Sequence, residues 1–299
     1  MTLIATCEMG FKSVFTIIKM VFLLPWLVVD YISSRCNVSL KNKQCMSNPN
    51  FRRTKKSSKH VTIDEEVIRG KKLLFIGDVH GCFDELIQLL SDTKALQNDT
   101  VIIFVGDMVN KGPKNMEVLR FLVQHSSRFY AVKGNHELAV LREYERWHHK
   151  PNYKLPRKYK WVQCMDALDY SYLKGLPYTL DIPLHNIIVV HAGMVPGKTL
   201  LEQKDSDLVK MRNVARTESG YSAKELTNEG LPWALLWKGP RKVIFGHDAV
   251  RGLQFHKMAI GLDTGCLYGK HLTGMLLSED KKMKFFSVKA QHVYVKPDR

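Results

Sequence analysis

Six short apolar runs in this chain each end on a side chain able to hold a metal ion or move a proton. LLFIGDVHG presents Asp78 and His80, two residues apart; VIIFVGD presents Asp107; FYAVKGNHE presents Asn135 and His136; IIVVHAG presents His191; KVIFGH presents His247; and AIGLDTG presents Asp263. Alone, a buried Asp is ordinarily paired with a neighbour, and a lone His after a strand is ordinarily a satisfied core group. Recurrence of the pattern along one chain asks for a chemical explanation. All the donors are carboxylate, amide or imidazole and none is a thiolate. Such a set suits a hard or borderline divalent ion, and this many donors suggest two ions.

The elements that position these groups are also legible. Four apolar residues before a motif suit a buried strand, and flanking glycines suit a tight loop in which backbone approaches whatever the loop holds. FDELIQLLSDTKAL and PKNMEVLRFLVQHS, between the first three motifs, read as helices, the second with Pro113 near its first turn. Strands alternating with helices predict an α/β fold of stacked layers, with functional groups on loops at the strands' carboxyl ends. The final LTGMLLSEDKKMKFFSV reads as a hairpin and is expected to build a second, more antiparallel sheet against the first.

Length and composition frame the rest. A chain of 299 residues, 45% hydrophobic and 25% charged, can bury a large core, which excludes global disorder. Its net charge is +16, and residues 1–60 carry ten basic side chains against two acidic ones. The remaining excess favours a polyanionic substrate or surface mildly. Three segments are expected: a hydrophobic stretch at 1–32, a basic linker at 33–60, and one domain at 61–299. VFTIIKMVFLLPWLVV, residues 14–29, has eleven Val, Phe, Ile or Leu in sixteen and one central Lys, so its membrane insertion is marginally favourable. The expectation is a membrane anchor with the domain facing the cytoplasm, residues 13–60 contacting the membrane surface. An interfacial helix or a cleaved leader are the rivals, the latter placing the domain in a secretory or vacuolar lumen. The sequons at Asn37 and Asn98 point weakly the same way as a leader. The six cysteines lack the spacing of a disulfide scaffold and read as free thiols, Cys36 and Cys45 being positioned for acylation. Arg52 to Lys59 lacks interleaved aromatics, so nucleic acid is not an expected partner, capped RNA excepted. The chain is expected to be a monomer.

GDVHG (77–81), GDMV (106–109), GNHE (134–137), HAG (191–193) and GH (246–247) together resemble the calcineurin-like metallophosphoesterase family, in family order from about Lys71 to Thr273. GDMVNKGP (106–113) and LDTGCLYGKHLT (262–273) are most similar to its diadenosine tetraphosphatases and their ApaH-like relatives, which include endopolyphosphatases and decapping enzymes. The resemblance implies a four-layer αββα sandwich with two mixed sheets, α/β in class, behind an N-terminal extension. It implies two divalent ions, drawn from Mn, Zn, Fe, Co or Mg. Asp78, His80 and Asp107 would hold one, and Asp107 would bridge to a second completed by Asn135, His191 and His247. Ions so placed clamp a phosphoryl oxygen and supply a hydroxide nucleophile near neutral pH. His136 would be the general acid at the leaving oxygen, with a packing role as its alternative.

Two departures carry information. Phosphoprotein phosphatases have an Asp-Arg pair where this chain has Asn110 and Lys111. Asn110 supplies no carboxylate to His136, and Lys111 is a point charge rather than a planar fork, which still suits a phosphate chain. Arg212, in KMRNV, is a candidate second phosphate clamp, with a solvated surface position as its alternative. The expected function is hydrolysis of phosphoanhydride or phosphoester bonds in inorganic polyphosphate or a dinucleoside polyphosphate. A serine/threonine phosphoprotein phosphatase is the alternative within the same chemistry, and a catalytically silent, membrane-tethered anion-binding module the alternative outside it. Asp263 is expected to anchor a loop beneath the site. His125, His148, His149 and His256 are expected to be packing or surface residues.

Overall fold

The apolar runs ahead of the two GD motifs are strands β2 (Lys72–Ile76) and β3 (Thr100–Phe104), which lie parallel with Leu73 opposite Val101 and Ile76 opposite Phe104. Both are buried nearly throughout, as near-continuous apolar strands must be when each face of their sheet is covered. The structure, a computed structural model, describes residues 58–97 and 99–297. The expected anchor at 14–29, most of the basic linker and both sequon asparagines lie outside the described residues. Among those described, no helix is long and apolar enough to cross a membrane.

Strand β4 (Phe129–Ala131) extends this sheet beyond β3, and β13 (His271–Leu277) with β14 (Met283–Lys289) completes it in the order β14-β13-β2-β3-β4. The C-terminal segment therefore is a hairpin, but it does not build a second sheet. β13 pairs antiparallel with β2, Gly274 opposite Ile76. A hairpin pattern fixes the pairing of its own two strands and leaves open which third strand they join.

The second sheet comes from β1 (His60–Thr62), β5 (Thr179–Ile182), β6 (Ile187–Val190), β10 (Lys242–Phe245), β11 (Gln254–Phe255) and β12 (Ala259–Gly261), in the order β1-β5-β6-β10-β12-β11. Its centre is parallel and two of its pairings, β5 with β6 and β11 with β12, are antiparallel. Period-two alternation decides what each face touches. Leu73, Phe75, Val101 and Ile103 of the first sheet share a buried core with Ile187, Val189, Ile244 and Ile260 of the second. Ile188, Val190, Val243 and Phe245 point the other way, onto Leu208, Met211, Trp233 and Trp237. Two sheets thus pack face to face, and each outer face is covered by helices.

On the first sheet these are α2 (Phe83–Asp92), which packs on β13 and β14, and α3 (Asn115–Gln124) beside it, after the four-residue α1 (Glu65–Ile68). α2 stops at Asp92, so Thr93–Leu96 leaves the predicted helix, while Pro113 lies two residues before α3, near its first turn as expected. α4 (Asn135–His149) and α5 (Ala167–Gly175) pack together, while α6 (Asp205–Lys210) and α7 (Trp233–Leu236) cover the second sheet. A small sheet of β7 (Asn213–Thr217), β8 (Gly220–Lys224) and β9 (Leu231–Pro232), absent from the sequence reading, lies on that side. Because β2, β3 and β4 run parallel, as do β6, β10 and β12, each sheet delivers its three motifs to one edge.

Candidate active site

That edge brings the donors together. Asp107 Oδ2 lies 3.3 Å from His191 Nε2 and 3.7 Å from His80 Nε2, while His80 Nε2 is 3.9 Å from Asp78 Oδ2. Asn135 Oδ1 is 3.0 Å from His191 Nε2. Donor atoms of Asp107, His191 and His247 lie within 4.8 Å of one another, as do those of His80, Asp107 and His136. Asp107 belongs to both groups.

Electrostatics show what the arrangement lacks. Burial, then the neighbouring Asp263 and Asp107 carboxylates, push Asp78 well above the usual carboxylate range. Asp263 itself is pushed up to about 6, chiefly by burial. Burial would raise Asp107 too, but the charges of His191 and His136 outweigh it and hold this carboxyl well below its ordinary value. Burial pushes His80 down to about 3 and takes His247 well below the usual imidazole range. Clustered buried carboxylates beside the uncharged imidazoles of His80 and His247 are a setting that cations complete.

Ring orientation agrees with a metal centre. His191 Nδ1 lies 3.0 Å from the Val105 carbonyl oxygen, and His247 Nε2 2.9 Å from that of Lys210. Each carbonyl fixes the ring proton on that nitrogen and leaves the other nitrogen's lone pair for a cation, as in most histidine metal sites. Oxygen and nitrogen donors from six positions, Asp78, His80, Asp107, Asn135, His191 and His247, therefore fit divalent ions, with Asp107 common to both groups.

Backbone geometry is tuned to the same end. His80, Asp107 and His247 have φ of 49°, 51° and 67°, a left-handed conformation costly for side chains other than glycine and concentrated at functional sites. Glycine is required where loops meet. A Cβ on Gly246 would sit 2.0 Å from Asp78 Oδ1, and one on Gly134 2.1 Å from Asp107 Oδ1. Asp78 also accepts the His247 backbone N–H on both oxygens at 3.1 Å, which ties the first sheet's loop to the second's.

Glu137, quoted within GNHE but given no role, holds the Asp107 loop. It is fully buried and accepts the N–H groups of Asp107 at 2.8 Å, Gly134 at 2.8 Å and Val109 at 3.2 Å. Its position three residues after Gly134, at the start of α4, is the signal that could have found it, because a carboxylate there can reach back over the helix N-terminus. Burial, then Asp107, push its carboxyl up to about 7. Glu137→Gln turns an NH2 group towards one of these N–H donors. A loss of about 10–100-fold in metal affinity is expected, read by titrating metal-stripped protein.

His136 stands beside the donors, its ring 4.8 Å from that of His80 and its backbone N–H 2.8 Å from Asp107 Oδ1. Its Nδ1 is 2.8 Å from Asn110 Nδ2. Orientation that a carboxylate would give therefore comes from an amide, with Nε2 left facing the cleft. Burial lowers the His136 pKa.

The cleft above these groups has a volume of about 620 Å³ and an overtly basic wall of Lys111, Lys210, Arg212 and Lys270. Lys111 Nζ is 3.4 Å from the Tyr268 hydroxyl. Arg212 is no free surface residue, since its guanidinium donates to the Glu225 carbonyl at 3.1 Å and the His247 carbonyl at 3.2 Å and lies 3.8 Å from Asp248. Asp263 accepts the Gly265 N–H at 3.0 Å, the loop-anchoring place expected for it. His125 stacks on Phe129 away from the cleft, and His148, His149 and His256 are likewise not among its lining.

Layered mixed sheets, metal-type donors at their common edge and a basic cleft above define a metal-dependent hydrolase of phosphoric esters or anhydrides. The chain belongs to the calcineurin-like phosphoesterases, whose family profile matches residues 71–270. It is 27% identical over 252 residues to a zinc-dependent endopolyphosphatase of Saccharomyces cerevisiae, covering 71% of this chain and 77% of that one. A symmetrical bis(5'-nucleosyl)-tetraphosphatase of Vibrio cholerae is 30% identical over 262 residues, 69% of this chain and 94% of the relative. A solved structure assigned provisionally to a diadenosine tetraphosphatase superposes with a TM-score of 0.67 at 33% identity, over 77% of this chain and 98% of that one. A yeast serine/threonine phosphatase shares the fold at 16% identity and a TM-score of 0.54.

Proposed function

We propose that this enzyme cleaves phosphoanhydride bonds in a multiply charged phosphate chain, either inorganic polyphosphate or a dinucleoside polyphosphate. The basic wall carries the reading: four cationic side chains against one carboxylate, Glu225, which lies 3.4 Å from Lys210, face a cleft whose floor holds the carboxylates and imidazoles. A single phosphoserine would use one or two of those cations, whereas a phosphate chain can engage all of them. In this proposal Asp78, His80 and Asp107 hold one divalent ion, and Asp107, Asn135, His191 and His247 the other. Bound there, such ions supply Lewis acidity to phosphoryl oxygens and lower the pKa of nearby water. The chain's own residues do the rest. Lys111 and Arg212 orient the phosphates, and His136 delivers a proton to the leaving oxygen from Nε2.

The test is a substrate panel of polyphosphate, diadenosine tetraphosphate, capped RNA and a phosphopeptide, at one metal concentration. Polyphosphate or the dinucleotide should lead; a phosphopeptide in first place would overturn the substrate class, and no turnover with any metal would leave only an anion binder. Lys111→Ala and Arg212→Ala should each raise KM for polyphosphate by about 10–100-fold, the scale of a charge-assisted contact. The rise should be much smaller with nitrophenyl phosphate, which carries a single phosphoryl group.

A further inference from the structure

A second cluster of ligand-type side chains lies apart from the donors described above. Cys82, at the start of α2, faces Cys266, the first residue of the short 3₁₀ turn Cys266–Tyr268, and Glu85 stands over both. The two sulfurs and a Glu85 oxygen all lie within 4.8 Å of one another. The three residues are 0%, 2% and 1% exposed.

The carboxylate is what needs explaining. Glu85 Oε1 accepts the Gln291 N–H at 2.8 Å and the Tyr294 hydroxyl at 2.7 Å. Its other oxygen, Oε2, is buried and has no partner. Both donors to Glu85 are neutral groups. A buried carboxylate with one unpartnered oxygen, set beside two thiols, is costly unless a cation compensates it, and native structures seldom leave such a group unpaired.

We propose that Cys82, Cys266 and Glu85 form a third, structural metal site for a thiophilic divalent ion of the zinc type. Two thiolates and one carboxylate are zinc-type donors and supply three of the four positions of a tetrahedral site, the fourth falling to a water or to the second oxygen of Glu85. Two sulfurs each about 2.3 Å from a tetrahedral ion lie roughly 3.8 Å apart, so a cluster whose donor atoms lie within 4.8 Å of one another closes on an ion by contracting by about an ångström at most. As each sulfur–metal bond forms, its thiol proton leaves to solvent. The donors then carry three negative charges against the ion's two positive ones, and the neutral hydrogen bonds to Glu85 Oε1 spread the excess.

Position gives the site a purpose. It would join the loop that carries Asp78 and His80 to the turn that presents Tyr268 to the cleft. The C-terminal segment is drawn in as well, through Gln291, Tyr294 and the Tyr294 and Val295 N–H groups on the Leu267 carbonyl at 3.1 and 3.2 Å. That segment continues to Pro297 at the cleft wall. An ion here would brace one side of the active site while touching no substrate.

Cobalt separates the two kinds of site, because only a cysteine-ligated cobalt ion gives a sulfur-to-metal charge-transfer band in the near ultraviolet. Full-length protein is produced with Co(II) as the added transition metal, and both spectrum and metal content per chain are measured. The wild type and Asp107→Asn should show the band. Cys82→Ser and Cys266→Ser should each lose it together with about one metal equivalent. Should the cysteine variants fail to fold, Glu85→Gln keeps an acceptor for Gln291 and Tyr294 and should weaken cobalt retention at this site alone during chelator challenge. Absence of the band in the wild type would overturn the assignment, as would its persistence in both cysteine variants. A Cys82–Cys266 disulfide in native protein analysed without reductant would overturn it equally.

Discussion

Asp107→Asn is expected to lower kcat/KM on every phosphate substrate by about a thousandfold or more, which corresponds to ~4 kcal/mol of transition-state stabilisation. The substitution changes charge and little else. Asn retains an oxygen that can accept the His136 N–H, now 2.8 Å from Asp107 Oδ1, and Glu137 still holds the residue's own N–H at 2.8 Å. The loop, with φ of 51° at this residue, tolerates Asn better than most residues. What disappears is the one negative oxygen that stands 3.3 Å from His191 Nε2 and 3.7 Å from His80 Nε2. Losing it should weaken both proposed ions together, so metal content per chain should fall along with rate, while the folded signature in circular dichroism persists. A variant within tenfold of wild type, with metal content unchanged, would remove Asp107 from the chemistry.

Much of this centre was legible because its residues follow strands. β2, β3, β6, β10 and β12 each announce themselves as an apolar run, and the donors come within four residues of the strand end, so sequence order maps directly onto one edge of the fold. The partner of each strand was less legible. Leu272 and Met275 read as hairpin residues whether β13 lies beside β2 or in another sheet, and only the packing of α2 over β13 and β14 distinguishes the two. The sheet of β7, β8 and β9 was not legible because its strands are short and mostly half exposed, as in NVART and GYSAK, with only Val214 fully buried among their apolar residues and so no apolar alternation to read. Glu137 and Glu85 escaped for a different reason. Glu85 accepts from Gln291 and Tyr294, far along the chain, and such pairings leave no periodic trace, whereas Glu137 carried only the local signal of a carboxylate three residues after Gly134, with its bonds to Asp107 and Val109 invisible in sequence. Arg212 could be placed only by the two carbonyls that hold it, of Glu225 and His247.

His136→Ala should cost about 10²–10⁴-fold in kcat on a polyphosphate, the range for a positioned general acid, and far less on nitrophenyl phosphate. A phosphate leaving group needs its proton more than a nitrophenolate does, so the ratio of the two losses reports proton delivery and not packing. Equal losses on both substrates would reassign the His136 ring to packing against His80, 4.8 Å away. Asn110 offers an independent handle on the same proton. Burial lowers the His136 pKa, and the acid form is the active one, so the rate should fall as pH rises through a value below the ordinary imidazole range. In Asn110→Asp a carboxylate replaces the amide that sits 2.8 Å from His136 Nδ1 and favours the imidazolium, which should move that alkaline limb up by about one unit or more. A limb that stays in place in Asn110→Asp would assign the titration to another group, because among the described residues Asn110 alone makes a side-chain hydrogen bond to the His136 ring.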